Sequence, residues 1–377
     1  MEQRHRIIIA MMDGFSMDYF RKSDIPFIKS MARDGFFAEV RGMFPSVTNA
    51  NNTSIATGVW PRIHGISANS LYDRTKKTQT YLNDSAAIRV PTLFDRARER
   101  GLKTAVLTSK RKTKELFAFR ADIVIAAEAL SEDEKKVFGP APLVYSAEIN
   151  HWLWDAAAMM FRDRSDISLI YVHTTDYPMH AWAPESEESL SHLRGIDHRM
   201  AAIHDTFPDV SFFLTADHGM NSKKLNWDLM RACGEAGCPI EFSLSPERDY
   251  YARHHKNYSG CAWVWLKNQS DLKRVRDVIS ALEGVEAVLN AADVAKLYNL
   301  DPCHLGDLVV FGDKNTMFGE SETTREILPG SYRAHGSLHE MDVPLIIYNY
   351  PGPLPPKTSF KHNKDLAAFL FSGAAEA

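Results

Sequence analysis

Short apolar runs alternate with amphipathic stretches along most of this chain. RIIIAMMD, from Arg6 to Asp13, is a continuous apolar run that predicts a buried strand, and IPFIKSMARDG predicts a helix stopped by Gly35. TLFDRARERG reads as a helix ending at Gly101, with KTAVLTS as the strand after it. DISLIYVHTTD is a strand, SEESLSHLRGIDHRMAAIHDTF a long helix, and DVSFFLTADHG and DVPLIIYN two further strands. Near-continuous apolar strands separated by helices predict an α/β fold with a mostly parallel sheet covered by helices on both faces.

The rhythm changes near Tyr258. SGCAWVWLK, SDLKRVRDVISALEG, VEAVLN, AADVAKLYNL and GDLVVFGDK read as strand, helix, strand, helix, strand, some of them alternating as half-exposed strands do. This predicts a small α+β insert, a cap over residues 258–324, within a core formed by residues 1–257 and 325–377. A length of 377 residues suits one large domain carrying such an insert.

Composition narrows the class of partner. A net charge of −4 argues against non-specific nucleic-acid binding, which needs a strongly basic surface. No segment reaches the roughly 18 apolar residues that span a bilayer, and the N-terminal apolar run is too short for a signal peptide. Cys233, Cys238, Cys261 and Cys303 have no metal-binding spacing and are too few for a disulfide framework, so the expectation is a cytoplasmic protein with free thiols.

Three of the predicted strands end in acid, at Asp13, Asp176 and Asp217. In a parallel sheet those ends share one edge, where ligands bind. Three carboxylates there repel one another unless a cation sits between them. Each could instead cap the following helix, but His218 follows Asp217 directly and His180 stands four residues after Asp176. Pro178, between Asp176 and His180, argues for a loop rather than a regular helix. His335 lies in the glycine-containing SYRAHGSLHE, where a side chain is displayed rather than packed. Three carboxylates and three imidazoles exceed the needs of a single catalytic zinc. They suit a pair of divalent ions; oxygen and nitrogen donors without thiolate favour zinc, with manganese or iron left open.

FPSVTNANN places Thr48 in a Pro-led loop before a helix closed by Gly58. A threonine there commonly caps the helix. Beside three acid-ending strands it also suits a nucleophile, because a helix N-terminus favours an anion such as phosphate. The neighbouring amides would hold phosphoryl oxygens or pack the loop.

MMDG, FPSVTNANN, HGI, TTDYPMH, TADHGM and the late AHG resemble the alkaline phosphatase superfamily. ISANSLYDR, TSKRK, the His254–His255 pair with the SGCAWV that follows it, LGDLVVFGD and SHLRGIDHRM narrow the resemblance to the phosphonoacetate hydrolase family, over nearly the whole length. The resemblance implies that Thr48 is the nucleophile. It implies one zinc held by Asp13, Asp217 and His218 with Thr48, and another held by Asp176, His180 and His335. Asn69 would contact the phosphoryl group, and Lys110 and Lys112 would grip the substrate carboxylate. The implied activity is hydrolysis of the carbon–phosphorus bond of phosphonoacetate to acetate and phosphate through a phosphothreonine. The alternative is a phosphodiesterase or nucleotide pyrophosphatase, for which Trp60, Tyr72 and Trp182 could supply an aromatic slot. The expected partner is a small anionic substrate, with a homodimer left open. His64, His254, His255 and His339 are assigned no role.

Overall fold

The computed structural model describes residues 5–249, 255–354 and 356–372. Its main sheet contains β1 (Arg6–Met11), β2 (Phe36–Arg41), β3 (Lys103–Thr108), β4 (Ile123–Ala126), β5 (Ile167–His173), β6 (Val210–Thr215) and β7 (Asp342–Tyr348). The strand order is β2-β7-β6-β1-β5-β3-β4. From β6 to β4 all neighbours pair in parallel, whereas β7 runs antiparallel to both β6 and β2. All seven residues of β5 are buried, as expected for a strand covered on both faces. Two sets of helices flank the sheet. Glu187–Thr206 contacts both Pro26–Asp34 and Glu148–Asp163 in one set, and Thr48–Thr57, Leu93–Glu99 and Asp365–Ser372 contact one another in the other. The fold is therefore an α/β architecture with a mostly parallel central sheet, as the sequence pattern predicts.

A second sheet of four antiparallel strands runs in the order Ile240–Leu244, Cys261–Leu266, Leu308–Gly312, Val285–Asn290. It begins ahead of residue 258, where the sequence rhythm changes. Its two central strands are buried throughout rather than half-exposed. Alternate residues explain why. Ala262, Val264 and Leu266 enter one apolar cluster with the helix residues Val275 and Ile279, while Cys261, Trp263 and Trp265 enter another with Phe44 and Ala68. The second cluster presses the small sheet against the segments on either side of the Thr48 helix. Cys233, Cys238, Cys261 and Cys303 are free thiols. Among the described residues, no helix is long and apolar enough to cross a membrane.

Candidate active site

The three acid-ending strands are neighbours. β1 lies between β6 and β5, so Asp13, Asp217 and Asp176 leave the sheet side by side at its C-terminal edge. The turns there are wired to one another. The Asp13 N–H donates to Thr174 Oγ1 (2.9 Å), and the Gly14 and His218 N–H groups both donate to Asp217 Oδ1 (3.1 and 2.9 Å). Gly14 has φ of 76°, and a Cβ there would stand 3.2 Å from the Cβ atoms of Asp176 and Met179. Glycine thus lets two acidic loops close on each other.

Two sets of donor atoms lie within 4.8 Å of one another: Asp13, Asp217 and His218, and Asp176, His218 and His335. His180, expected with Asp176 and His335, is also present, with Nε2 3.0 Å from Asp176 Oδ2 and its ring centroid 5.4 Å from that of His335. Asp176 and His180 sit on a five-residue helix, Tyr177–Ala181, rather than on an irregular loop. Pro178 falls in its first turn, where no N–H donor is needed.

All three imidazoles have Nδ1 against a main-chain carbonyl. His218 Nδ1 is 2.9 Å from Gly219 O, His180 Nδ1 2.7 Å from Arg333 O, and His335 Nδ1 2.7 Å from Ser46 O. Each Nδ1 must carry the hydrogen, which turns the Nε2 lone pair toward the carboxylates. His218 Nε2 lies 3.2 Å from Asp217 Oδ2 and 3.6 Å from Asp13 Oδ1, and His335 Nε2 lies 3.6 Å from Asp176 Oδ2. Lone pairs facing carboxylate oxygens repel unless a cation joins them. Asp13 Oδ1, Asp217 Oδ2 and His335 Nε2 are buried and find no hydrogen-bond partner among the described residues. These are the atoms a metal would need, so the residues fit one.

The side chains' own electrostatics show the same demand. Burial and the Asp13 carboxylate push Asp217 well above the usual carboxylate range. Burial and Asp176 act on Asp13 in the same direction, but the Lys110 ammonium and His173 hold it below. Burial is likewise overcome at Asp176 by Lys110 and His180. Burial pulls His218 down to about 3. At His335 burial also acts downward, yet the Glu247 and Asp176 carboxylates raise it to about 9. By themselves these groups settle their charges by moving protons, which a divalent cation makes unnecessary.

Thr48 opens the Thr48–Thr57 helix and makes no capping bond; Val47 stands at the N-cap. Its Oγ1 lies 3.4 Å from His218 Nε2. All ten residues of the helix are buried despite their polarity. Its amides pack rather than stand open. Asn51 Nδ2 donates to the carbonyls of Met43, Pro45 and Val47, and Asn49 Nδ2 to Leu82 O. Asn69 Oδ1 accepts from the Asn49 N–H (3.2 Å) while its Nδ2 donates to Glu247 O (3.2 Å). Asn69 therefore stands next to Thr48, with one amide hydrogen not used by these bonds.

Both lysines of TSKRK point inward. Lys110 Nζ lies 2.8 Å from Asp176 Oδ1 and 3.1 Å from Asp13 Oδ2, and Lys112 is paired with Asp249. The basic helix start thus has internal anionic partners. His335, expected on a displayed loop, is fully buried. Gly336 has φ of 104° and a Cβ there would meet Ser259 Oγ at 2.0 Å, so the loop can be this tight only with glycine.

Sequence reasoning passed over Glu247 and His173 and left His255 without a role. Glu247 is buried 3.7 Å from His335 and 3.6 Å from His255, whose ring stacks on His180 at 4.8 Å. Glu247 precedes the small sheet's second strand, and no local pattern marks it as belonging to the site. His64 is a packing residue, bonded to Ser54 Oγ and the Ile66 N–H, and His339 pairs with Glu286 at the surface. His254 lies outside the described residues.

The fold has known counterparts. The curated relatives include rat ectonucleotide pyrophosphatase/phosphodiesterase family member 7, 23% identical over 236 residues, which cover 59% of this chain and 51% of that protein. Mouse bis(5'-adenosyl)-triphosphatase is 38% identical over 81 residues, 21% of this chain and 18% of its own length. The chain thus spans about half or less of these relatives. Phosphonoacetate hydrolase from Sinorhizobium meliloti 1021, solved with phosphonoformate and with phosphonoacetate, superposes with a TM-score of 0.88 at 27% identity, covering 99% of this chain and 96% of that one. Murine ectonucleotide pyrophosphatase / phosphodiesterase 5 superposes at 0.71 with 16% identity, over 97% of this chain and 94% of its own, a likeness of fold. The profile of the type I phosphodiesterase / nucleotide pyrophosphatase family matches residues 7–338, and the chain belongs to that family, within the alkaline phosphatase superfamily.

Proposed function

We propose that this protein hydrolyses the carbon–phosphorus bond of phosphonoacetate, giving acetate and phosphate. The observation that carries the reading is the pair of inward-pointing lysines, the largely covered Lys110 and the buried Lys112, at the carboxylate–imidazole cluster beside Thr48. Breaking a C–P bond by substitution expels a carbanion. In phosphonoacetate the developing charge delocalises into the adjacent carboxylate, and two ammonium groups aimed there stabilise it as it forms. The whole-chain likeness to the Sinorhizobium enzyme supports the same substrate class.

Asp13, Asp217 and His218 would hold one divalent ion and Asp176, His180 and His335 the other, both zinc on this donor set. When bound, the ions supply positive charge for the phosphonate oxygens and lower the pKa of a neighbouring hydroxyl. Thr48 Oγ1, its proton given up to solvent, attacks phosphorus as the P–C bond breaks, and the electron pair of that bond passes into the enediolate of acetate. Lys110 and Lys112 hold that carboxylate until solvent protonates the carbon. Water then attacks phosphorus, releasing phosphate and returning the Thr48 hydroxyl. The positive end of the Thr48 helix and the spare Asn69 amide hydrogen steady the phosphoryl oxygens in both steps.

The family's own chemistry favours a second reading, hydrolysis of P–O bonds in phosphodiesters or nucleotides. It needs a slot for the ester group. Trp60 packs against His362, Tyr72 against Phe242 and Trp265, and Trp182 edge-on to Tyr177, three separate neighbourhoods. A product assay on zinc-loaded protein separates the readings. Phosphate release from phosphonoacetate far above release of nitrophenol from a nitrophenyl phosphodiester is expected; the reverse order would overturn the proposal.

A further inference from the structure

The mechanism above makes no use of His173, a fully buried histidine at the end of β5, pointing into the site from behind. Its Nε2 faces Asp13 Oδ2 at 3.5 Å, long for a hydrogen bond, and finds no closer partner among the described residues. Its Nδ1 lies 3.2 Å from Thr108 Oγ1 and 3.4 Å from Asn52 Nδ2.

The surroundings decide which nitrogen carries the hydrogen. Tyr171 O–H donates to Asn52 Oδ1 at 2.6 Å, which turns the amide NH2 of Asn52 toward His173. Thr108 Oγ1 accepts from the Lys110 N–H (3.3 Å), leaving its own hydrogen to donate to His173. Both neighbours of Nδ1 are thus donors, so Nδ1 is an acceptor and the hydrogen sits on Nε2. The other tautomer would set a bare lone pair against the Asp13 carboxylate.

We infer that His173 is a positioning residue. Its Nε2–H engages Asp13 Oδ2 and turns Oδ1, the oxygen nearer His218, toward the cation, with Tyr171 and Asn52 holding the imidazole in that tautomer. This rests on Asp13 being a metal ligand, as proposed above. Asn52 lies one helical turn after Thr48, so the same contact ties the nucleophile's helix to the strand beside Asp13. The polar, buried helix thereby gains a purpose beyond packing. Outer partners of ligand side chains commonly change metal affinity by about 10–100-fold.

The test uses the full chain and zinc ions alone, titrated against a chelating indicator. Wild-type protein is expected to bind two ions. His173→Leu should weaken one of them by about 10–100-fold and leave the other unchanged. His173→Gln, whose amide nitrogen can stand where Nε2 stood, should recover most of the loss. Should the leucine variant fail to fold, two-bond 1H–15N spectra of the zinc-loaded wild type still decide, and the Nε2–H tautomer is expected. A folded His173→Leu that binds both ions as wild type does, or an Nδ1–H tautomer, overturns this inference and leaves the proposed site intact. Wild-type protein that takes up no zinc overturns both.

Discussion

The two halves of the candidate site are built by different means. Asp13, Asp217 and His218 stand at the ends of β1 and β6, adjacent strands paired in parallel along their whole length. Asp176 and His180 also follow a core strand, but His335 arrives on the chain returning from the small sheet. It is held there by Ser46 O on Nδ1 and by the Gly260 N–H on its own carbonyl (3.0 Å). The first half is set by the main sheet alone. The second closes only when the small sheet is docked, so it should be the easier to disturb.

The comparison can be broken most sharply by exchanging single side chains. Thr48→Ala touches neither carboxylate set, so both ions should stay while kcat falls by at least about ten-thousandfold, the scale of losing a covalent nucleophile. Metal analysis beside single-turnover assays checks this, and a variant that kept turnover would remove Thr48 from the chemistry. Next in size, Asp217→Ala and His335→Ala should each bring the bound zinc from two ions to one. Loss of both ions in either variant would show that the halves, which share His218 as a neighbour, do not fill independently.

A smaller effect is expected at Ser46. Its hydroxyl donates to Ser337 O (2.7 Å) and accepts the Gly336 N–H (3.0 Å), clasping the His335 loop. Ser46→Ala should cost about 1–2 kcal/mol of stability and weaken only the half that contains His335, read by thermal unfolding and zinc titration. The last effect shows only as the solution is acidified. Burial acts against Glu340, yet the Lys223 ammonium 2.8 Å away, with Ser337 and Asn221, holds it down to about 2 from its ordinary 4.5. A lowered folded-state value stabilises above the unfolded value and loses that stabilisation as protons bind. The loss should run from pH 4.5 down toward 2 and amount to the order of 3 kcal/mol. Glu340→Gln should flatten that part of the stability–pH curve. Because Glu340 accepts from the N–H and hydroxyl of Ser337, acid should release the His335 half first.

Much of this was legible in the chain because buried strands and acidic strand ends are local patterns. The six apolar residues from Ile7 to Met12 suit a strand covered on both faces, and DVSFFLTADHG shows both the strand and the acid and imidazole that follow it. His335 was legible as a residue but its burial was not, since the loop becomes tight only against Ser259 and Ser46, distant in sequence. The Pro178 reading failed for a related reason: proline excludes a helix interior but not its first turn, and only the boundary at Tyr177 tells which applies. The small sheet's central strands mislead as well, because their second face is covered by a segment the periodicity of those strands cannot reveal.

What the sequence alone determined is the sheet, its acid-tipped edge and the identity of the groups gathered there, all of which follow from short-range patterning and from which atoms each residue type carries. What the tertiary structure alone decided is which nitrogen and which oxygen each group presents. Those choices are made by hydrogen bonds with residues far away in the chain, such as Ser46 O at His335 Nδ1, Arg333 O at His180 Nδ1 and Tyr171 through Asn52 at His173. A one-dimensional pattern records who is present; the orientation of a donor depends on neighbours that only folding brings within 3 Å or so.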